Sequence, residues 1–358
     1  MRMPIRTVAG KKLRKCERGF TLLEVMVAMI IAVIVVGAAF TILTTTNKSV
    51  LANEQTVGAQ QNVRLAMELL SRDIKMAGFG APGVAVGNCT YPIMPNDKTP
   101  TGVDDGPDSV QLLVPTTKAT GSAPWLLQTA TSPSGATTIT LRAGAVADMV
   151  SSGLVANTSY ISINGAHTAQ VTAVNAVSNS IGVAIPAPVW FPVDAPVYLL
   201  QCIRYQVVTN ASVCGTNEPC LTRGVAGVTT GPNAEAPIVE GIEDLQLAYA
   251  CDGCVATING GNPDRIIDNQ GGASGFDQVD FVSNNLWATA PMTPDKIQLV
   301  QIALAARQPK GDVGLGETGR ATIGSAALTV SSDRSLSANA NHRRRLLTKT
   351  VETRNVGF

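Results

Sequence analysis

Charge is scarce in this chain. Only 15% of its 358 residues are Asp, Glu, Lys or Arg, and aromatics make up 4%. There are two histidines, His167 and His342, without metal-ligand spacing. No nucleophile elbow, zinc-protease motif or phosphate loop occurs, so no convergent polar site for an enzyme is offered. Gly314-x-Gly316-x-x-Gly319 matches the dinucleotide fingerprint by letter. It lies in a Gly/Ser-rich stretch with no helix opening after it, and reads as a flexible loop. The formal net charge is +1, and past the N-terminal segment the one basic run is Arg343-Arg344-Arg345. A phosphate-tracking surface, and with it a nucleic-acid partner, is not indicated. No cofactor is indicated either.

Charge is instead gathered at the N-terminus. Residues 1–18 hold Arg2, Arg6, Lys11, Lys12, Arg14, Lys15 and Arg18 against one acid, Glu17. Without those seven cations and one acid, the net charge falls from +1 to −5. An apolar run follows from Phe20 to Leu43 and holds a single charge, Glu24. As a helix it is ~36 Å long, enough for a bilayer core of ~30 Å. Cationic flanks stay cytoplasmic, so the rest of the chain is expected across the membrane. No small-residue cleavage site follows the apolar run. Cleavage is expected before it, at Gly19, where the missing side chain lets a protease approach the backbone. Glu24 stands out, because a charged side chain in mid-membrane costs about 3 kcal/mol. Either it snorkels at the interface, or a cation offsets it. The freed amine of Phe20 on a neighbouring helix is such a cation.

After Leu43 the sequence turns polar but keeps helical spacing, with Val57, Val63, Leu70, Ile74 and Ala77 forming a stripe that Ala66 and Leu69 widen. Arg64–Glu68 and Glu68–Arg72 are i,i+4 pairs on the other face. Gly78, Gly80 and Pro82 end the helix. The expected fold is α+β: a long N-terminal helix, partly transmembrane, packed on an antiparallel β-sheet head. The helix covers 20–77 (20–43 in the membrane, 44–77 amphipathic) and the head 78–358. Strands are expected at Val110–Pro115, Thr137–Arg142, Tyr160–Ile163, Gln170–Val174, Ile181–Ala184, Val197–Val208, Leu221–Arg223, Ile238–Tyr249, Lys296–Arg307 and Arg344–Arg354. Residues 116–192 read as an inserted β subdomain, and 308–341 as a flexible connection. Asp104-Asp105-Gly106-Pro107-Asp108 reads as a solvated turn. Glu240, Glu243 and Asp244 are expected to be solvated or to pair locally.

Six of the seven cysteines lie in the head: Cys89, Cys202, Cys214, Cys220, Cys251 and Cys254. Across the membrane an even count argues for disulfides. Cys214–Cys220, Cys251–Cys254 and Cys89–Cys202 are the favoured pairs, among ~15 possible connectivities. The rival is a zinc site from Cys214, Cys220, Cys251 and Cys254.

Gly19-Phe20-Thr21-Leu22-Leu23-Glu24, behind a basic leader and ahead of an apolar helix, resembles the class III signal of type IV pilins and type II secretion pseudopilins. The resemblance implies cleavage after Gly19 by prepilin peptidase, N-methylation of Phe20, and a role for Glu24 in registering the subunit against its neighbour. Ile203-Arg204-Tyr205, Leu221-Thr222-Arg223, Ile238-Val239-Glu240-Gly241-Ile242-Glu243-Asp244-Leu245-Gln246-Leu247-Ala248-Tyr249, Val300–Arg307 and the terminal Arg343–Asn355 stretch look like the PilW family of minor pilins. That family implies a place in the low-abundance complex that starts or caps a pilus. Its partners would be other minor pilins, the major pilin, the inner-membrane assembly platform and membrane lipid. The alternatives are a J-type minor pseudopilin of type II secretion, or a pilin-tethered adhesin whose binding module is the 116–192 insert. Gly19→Ala, or a bulkier residue there, is expected to block processing, so that uncut precursor accumulates on an immunoblot. Unchanged processing would overturn the signal.

Overall fold

The computed structural model describes residues 20–356, apart from 82, 99–105, 117–123, 132–135, 188–189, 216–217, 227, 229–230, 232, 271–274, 284–286, 288, 309–327, 330–334, 337–341 and 343. The leader, Gly19, Pro82, Asp104, Asp105, Arg343, the glycine fingerprint at 314–319 and most of the 308–341 connection lie outside those residues. The chain divides into two compact units, one ending at Glu54 and one beginning at Gln55.

One element spans that division: helix α1, Leu22–Met76. In the first unit its apolar side chains are exposed, from Phe20 through Leu43. A helix apolar on every side is the form that suits a lipid surround. Where hydroxyls enter, they bond back into the helix. Thr41 Oγ1 donates to Gly37 O at 2.9 Å, Thr45 Oγ1 to Thr41 O at 2.8 Å and Ser49 Oγ to Thr45 O at 3.0 Å. Such bonds satisfy the hydroxyl without solvent.

In the second unit α1 carries one buried stripe, Ala59, Val63, Ala66, Met67, Leu70 and Ile74, which Ala77 continues just past the helix end. Val57 is exposed and Leu69 half-buried, contrary to expectation. Ala59 lies four residues before Val63, on the same face, whereas Val57 lies six before it and points away. Met67, not Leu69, fills the position beside Leu70. The helix stops at Gly78, whose φ of +80° suits glycine. Its N–H donates to Leu113 O at 2.8 Å, and a Cβ there would meet Asn355 O at 2.6 Å.

Two short strands, β1 (Ile93–Asn96) and β2 (Ser109–Thr116), follow. Then come β3 (Trp125–Leu126), β4 (Ala136–Thr140), helix α2 (Ala145–Ser151), β5 (Tyr160–Ile163), β6 (His167–Asn175) and β7 (Ser180–Ala187). The long strand β8 (Pro196–Val208) precedes a four-residue helical turn α3 (Ala211–Cys214), β9 (Cys220–Val225) and β10 (Ala236–Glu240). All of these strands belong to one antiparallel sheet centred on β8, which pairs with β2, β3, β5 and β9. A second antiparallel sheet has the order β11 (Ile242–Cys251), β12 (Ile297–Arg307), β15 (Arg344–Glu352). A small hairpin joins β13 (Leu328–Thr329) to β14 (Ser335–Leu336).

The stretch expected as one strand, Ile238–Tyr249, is therefore two. Gly241 separates them at φ +74°. β10 pairs with β9 in the large sheet and β11 with β12 in the small one. A residue with φ > 0 breaks the pleat, and glycine adopts it without strain. α2 and α3 are also absent from the expectation. Each has at most seven residues, too short for a 3.6 period to show.

Both sheets bury onto the same helical stripe. Val110, Leu112, Ile203, Tyr205 and Leu221 from the large sheet join Leu245, Leu247, Val300, Ile302, Leu304 and Val351 from the small one in a single core with Leu70 and Ile74. Residues 125–199 hold a separate core built on Trp125, Leu141, Met149, Ile161, Val171, Ile181 and Val197. Trp125 donates its indole N–H to Asp148 of α2 at 2.9 Å. Leu70 is fully buried where the two sheets and the helix meet. Leu70→Ala is expected to destabilise the chain by about 2–5 kcal/mol, seen as a lowered thermal midpoint in detergent.

Candidate assembly site

The functional residues expected at the N-terminus lie in the first unit. Thr21 caps α1: its carbonyl accepts from Glu24 N at 3.0 Å and its hydroxyl from the same N–H at 3.3 Å. A hydroxyl residue here satisfies donors that have no partner inside the helix. Phe20 and Glu24 are exposed, and among the described residues no side chain bonds to the Glu24 carboxylate. An acid in the first turn is also favoured by the helix dipole. Gly37 has nothing within 4 Å of where a Cβ would stand, so packing within the chain does not require a glycine there.

In the second unit the helix is fixed by a charge cluster. Asp73 is buried on α1, in the midst of the apolar stripe. Tyr205 of β8 donates its hydroxyl to Asp73 Oδ2 at 2.7 Å, and Arg223 of β9 donates Nε to the same oxygen at 2.9 Å. Arg72 holds the other oxygen, Oδ1, at 3.3 Å. The Arg223 guanidinium lies 6.0 Å over the Tyr205 ring. Burial first, and the Asp73 carboxylate second, push the Tyr205 hydroxyl far above the usual tyrosine range, with Arg223 pulling the other way. Burial alone would lower Arg223, but Asp73 and Tyr205 together raise it. The motif residues Tyr205 and Arg223 thus share a role that their spacing in sequence does not reveal. Asp73 gives no such signal in the sequence, where a carboxylate next to Arg72 looks like an ordinary surface pair.

Further polar bonds seat the helix and the C-terminus. Asn62 Nδ2 donates to Glu240 O at 3.0 Å, Gln308 Nε2 to Thr56 Oγ1 at 2.8 Å, and Asn355 Nδ2 to Lys75 O at 3.2 Å. Three further arginines of the motif blocks are paired. Arg204 holds Glu235, Arg307 holds Glu218 at 2.9 Å, and Arg344 grips Glu243 through two bonds of 2.6 and 3.0 Å. Glu243 therefore pairs across 101 residues rather than locally. Asp244 is fully buried, not solvated. The bulge between Ile242 and Asp244 shifts the register there, so simple alternation fails. Asp108 is likewise buried: its N–H donates to Leu245 O and its Oδ2 accepts from Leu247 N, each at 2.8 Å. It serves as a cross-link to the edge of β11 rather than part of a solvated turn.

The cysteines stand in pairs: Cys89 with Cys202, Cys214 with Cys220 and Cys251 with Cys254. The first closes 113 residues onto β8, the second closes the turn of α3, and the third closes the end of β11. Among the described residues the four cysteines of the zinc alternative do not gather as one ligand set. His167 sits beside Phe191, and His342 Nδ1 lies 2.9 Å from Gln308 O.

Comparison with known proteins fits this arrangement. Residues 204–355, which hold Tyr205, Arg223, Glu243, Arg307 and Arg344, match the family model of the type IV pilus-assembly protein W. The chain carries a PilW domain. Residues 14–40, which hold Gly19, Phe20 and Glu24, match the prokaryotic N-terminal methylation motif. The chain is thus similar to PilW over residues 204–355 and to the N-terminal methylation motif over residues 14–40. No curated protein sequence matches it. A solved type IV-like pilin from Thermus thermophilus is 12% identical over 84% of this chain and 98% of its own, with a TM-score of 0.32, at which the likeness carries no argument. The long helix and the antiparallel sheets are seen directly in the fold of the chain itself.

Tyr205→Phe is expected to cost about 1–3 kcal/mol, since it removes a bond to a buried carboxylate. Because folding holds Tyr205 and Tyr249 neutral, their contribution is complete below pH ~10, where the unfolded tyrosine ionises, and is lost as pH rises beyond it. Thermal melts from pH 7 to 11 should show that fall, and Tyr205→Phe should make it shallower.

Proposed function

We propose that this PilW-type chain is a minor pilin, a low-abundance structural subunit of the complex that starts a type IV pilus. The observation that carries the reading is the joining, in one chain, of a methylation motif at 14–40 to a PilW domain at 204–355. In this reading residues 1–19 are a leader, prepilin peptidase cuts after Gly19, and the new amine of Phe20 is methylated. Residues 20–43 hold the subunit in the inner membrane with the head in the periplasm. On assembly the exposed apolar helix leaves the lipid and packs among like helices, where there is little water to screen charge. The Glu24 carboxylate then offsets a neighbour's N-terminal amine, an interaction far stronger in a dry core than in water. Other minor pilins, the major pilin and the inner-membrane assembly platform are the partners. Residues 116–192 act as an insertion, supported by the separate core around Trp125 and Met149. A structural subunit needs no active site, and none enters this account.

The PilW match favours the pilus over a type II secretion pseudopilin. Targeted mass spectrometry of sheared filaments and of membranes separates the two. The peptide beginning at N-methylated Phe20 is expected in filaments at trace level relative to the major subunit, and Glu24→Ala is expected to deplete it there without blocking cleavage. Processed chain found in membranes alone would move the reading to the secretion system, and uncut chain alone would overturn both.

A further inference from the structure

The segment after β11 is organised around a cluster to which the proposed function assigns no role. Cys251, Cys254 and Asp268 are all buried, and one sulfur, the other sulfur and a carboxylate oxygen lie within 4.8 Å of one another. Asp268 is anchored firmly. Its N–H donates to Cys251 O at 2.8 Å, and its Oδ2 accepts from Cys254 N at 2.7 Å and Val255 N at 2.9 Å. Those bonds fix the carboxylate and leave Oδ1 for another ligand. Gln270 donates Nε2 to Cys251 Sγ at 3.7 Å. Among the described residues Asp268 has no cationic side chain as partner. A buried carboxylate without a cation is costly, and a disulfide has no use for one beside it.

The loop has ties of its own. The ammonium of Lys296 donates to Gly253 O, Gly261 O and Pro291 O at 2.6, 2.8 and 2.9 Å. The Asp252 carboxylate accepts from Asp264 N and Arg265 N at 2.8 and 2.7 Å. The positions of Cys251, Cys254 and Asp268 therefore do not depend on the sulfur–sulfur bond alone.

We propose that in the reduced chain Cys251, Cys254 and Asp268 form a binding site for a borderline-soft divalent cation of the zinc class. Two thiolates and one carboxylate suit such an ion, with a water in the fourth position. Tetrahedral bonds of ~2.3 Å to sulfur and ~2.0–2.2 Å to oxygen space the ligand atoms ~3.5–3.8 Å apart, a spacing the two sulfurs, bonded to each other here, reach only after reduction lets them separate. The Gln270 N–H then stabilises thiolate sulfur, and Asp268 gains its missing counter-charge. The disulfide and the metal are alternative closures of one loop. Reduction by a phosphine balances as disulfide plus phosphine plus water giving two thiols and phosphine oxide. Both thiol protons leave as the ion binds.

Cobalt(II) tests this without any partner. The full chain, in detergent and stripped of metal, is titrated with cobalt(II) chloride before and after phosphine reduction. The reduced chain is expected to show a thiolate-to-cobalt absorption band that saturates at one cobalt per chain, and the oxidised chain none. Zinc is expected to displace the cobalt and to raise the thermal midpoint of the reduced chain alone. Cys251→Ser should abolish the band and Asp268→Asn should weaken binding at least ~10-fold, while Cys214→Ser and Cys89→Ser leave it intact. A reduced wild-type chain with no band, or a band that Cys214→Ser removes and Cys251→Ser spares, overturns the proposal.

Discussion

The main core of the head is built on the face of α1 that carries Ala66, Leu70 and Ile74. Two separate sheets bury onto it, and it forms one core with both. Neither sheet closes on itself, so each would expose an apolar face without the helix. The helix in turn would expose its stripe without the sheets. Burial of a Leu or Ile side chain is worth about 1.5–3 kcal/mol, and the stripe supplies several such groups. Hydrophobic burial alone does not fix how a helix is rotated or slid along its axis. Asp73 does that, because its carboxylate is satisfied only where Tyr205 and Arg223 reach it.

The same helix carries two chemistries along its length. Toward its N-terminus it is apolar on all sides, as lipid or like helices require. Past Glu54 its apolar residues narrow to one stripe, as a sheet requires. The PilW match falls on residues that stabilise the head and its seat on the helix: Tyr205, Arg223, Arg307 and Arg344. The methylation-motif match falls on residues with no such duty inside the chain: Phe20, Glu24 and Gly37. The first group answers to folding. The second answers to whatever the helix meets outside its own chain.

Much of this was readable from residue order. The helix limits, the central strand at Val197–Val208 and the strand at Tyr160–Ile163 follow from local pattern and turn residues, which act over a few positions. Local spacing favours Cys214–Cys220 and Cys251–Cys254 without fixing them among ~15 connectivities, and the pairing is read from the structure. What was not readable depends on long-range contact. Asp108 reads as part of a solvated turn, and Glu243 and Asp244 as solvated or locally paired acids. Asp244 does pair locally, accepting from Gln246 Nε2 at 3.2 Å. Its burial, and the partners of Asp108 and Glu243, come from strands far along the chain. Gly241 read as one residue of a continuous strand because its neighbours alternate on both sides, and only the change of sheet shows the break. Asp268 gave no sign, being one acid in a polar loop, until folding set it against two sulfurs.

The crossing at Gly241 gives the head a mechanical character. β10 ends in one sheet and β11 begins in the other, with a single residue between them. Gly241 is pinned on both sides, its N–H donating to Pro219 O at 2.7 Å and its carbonyl accepting from Arg307 N at 2.8 Å. The two sheets are thus two plates joined through the chain at Gly241, tied again where Asp108 bonds to β11, and braced by a common strut. A load applied to either plate has a covalent path to the other through Gly241 and a hydrogen-bonded one through Asp108.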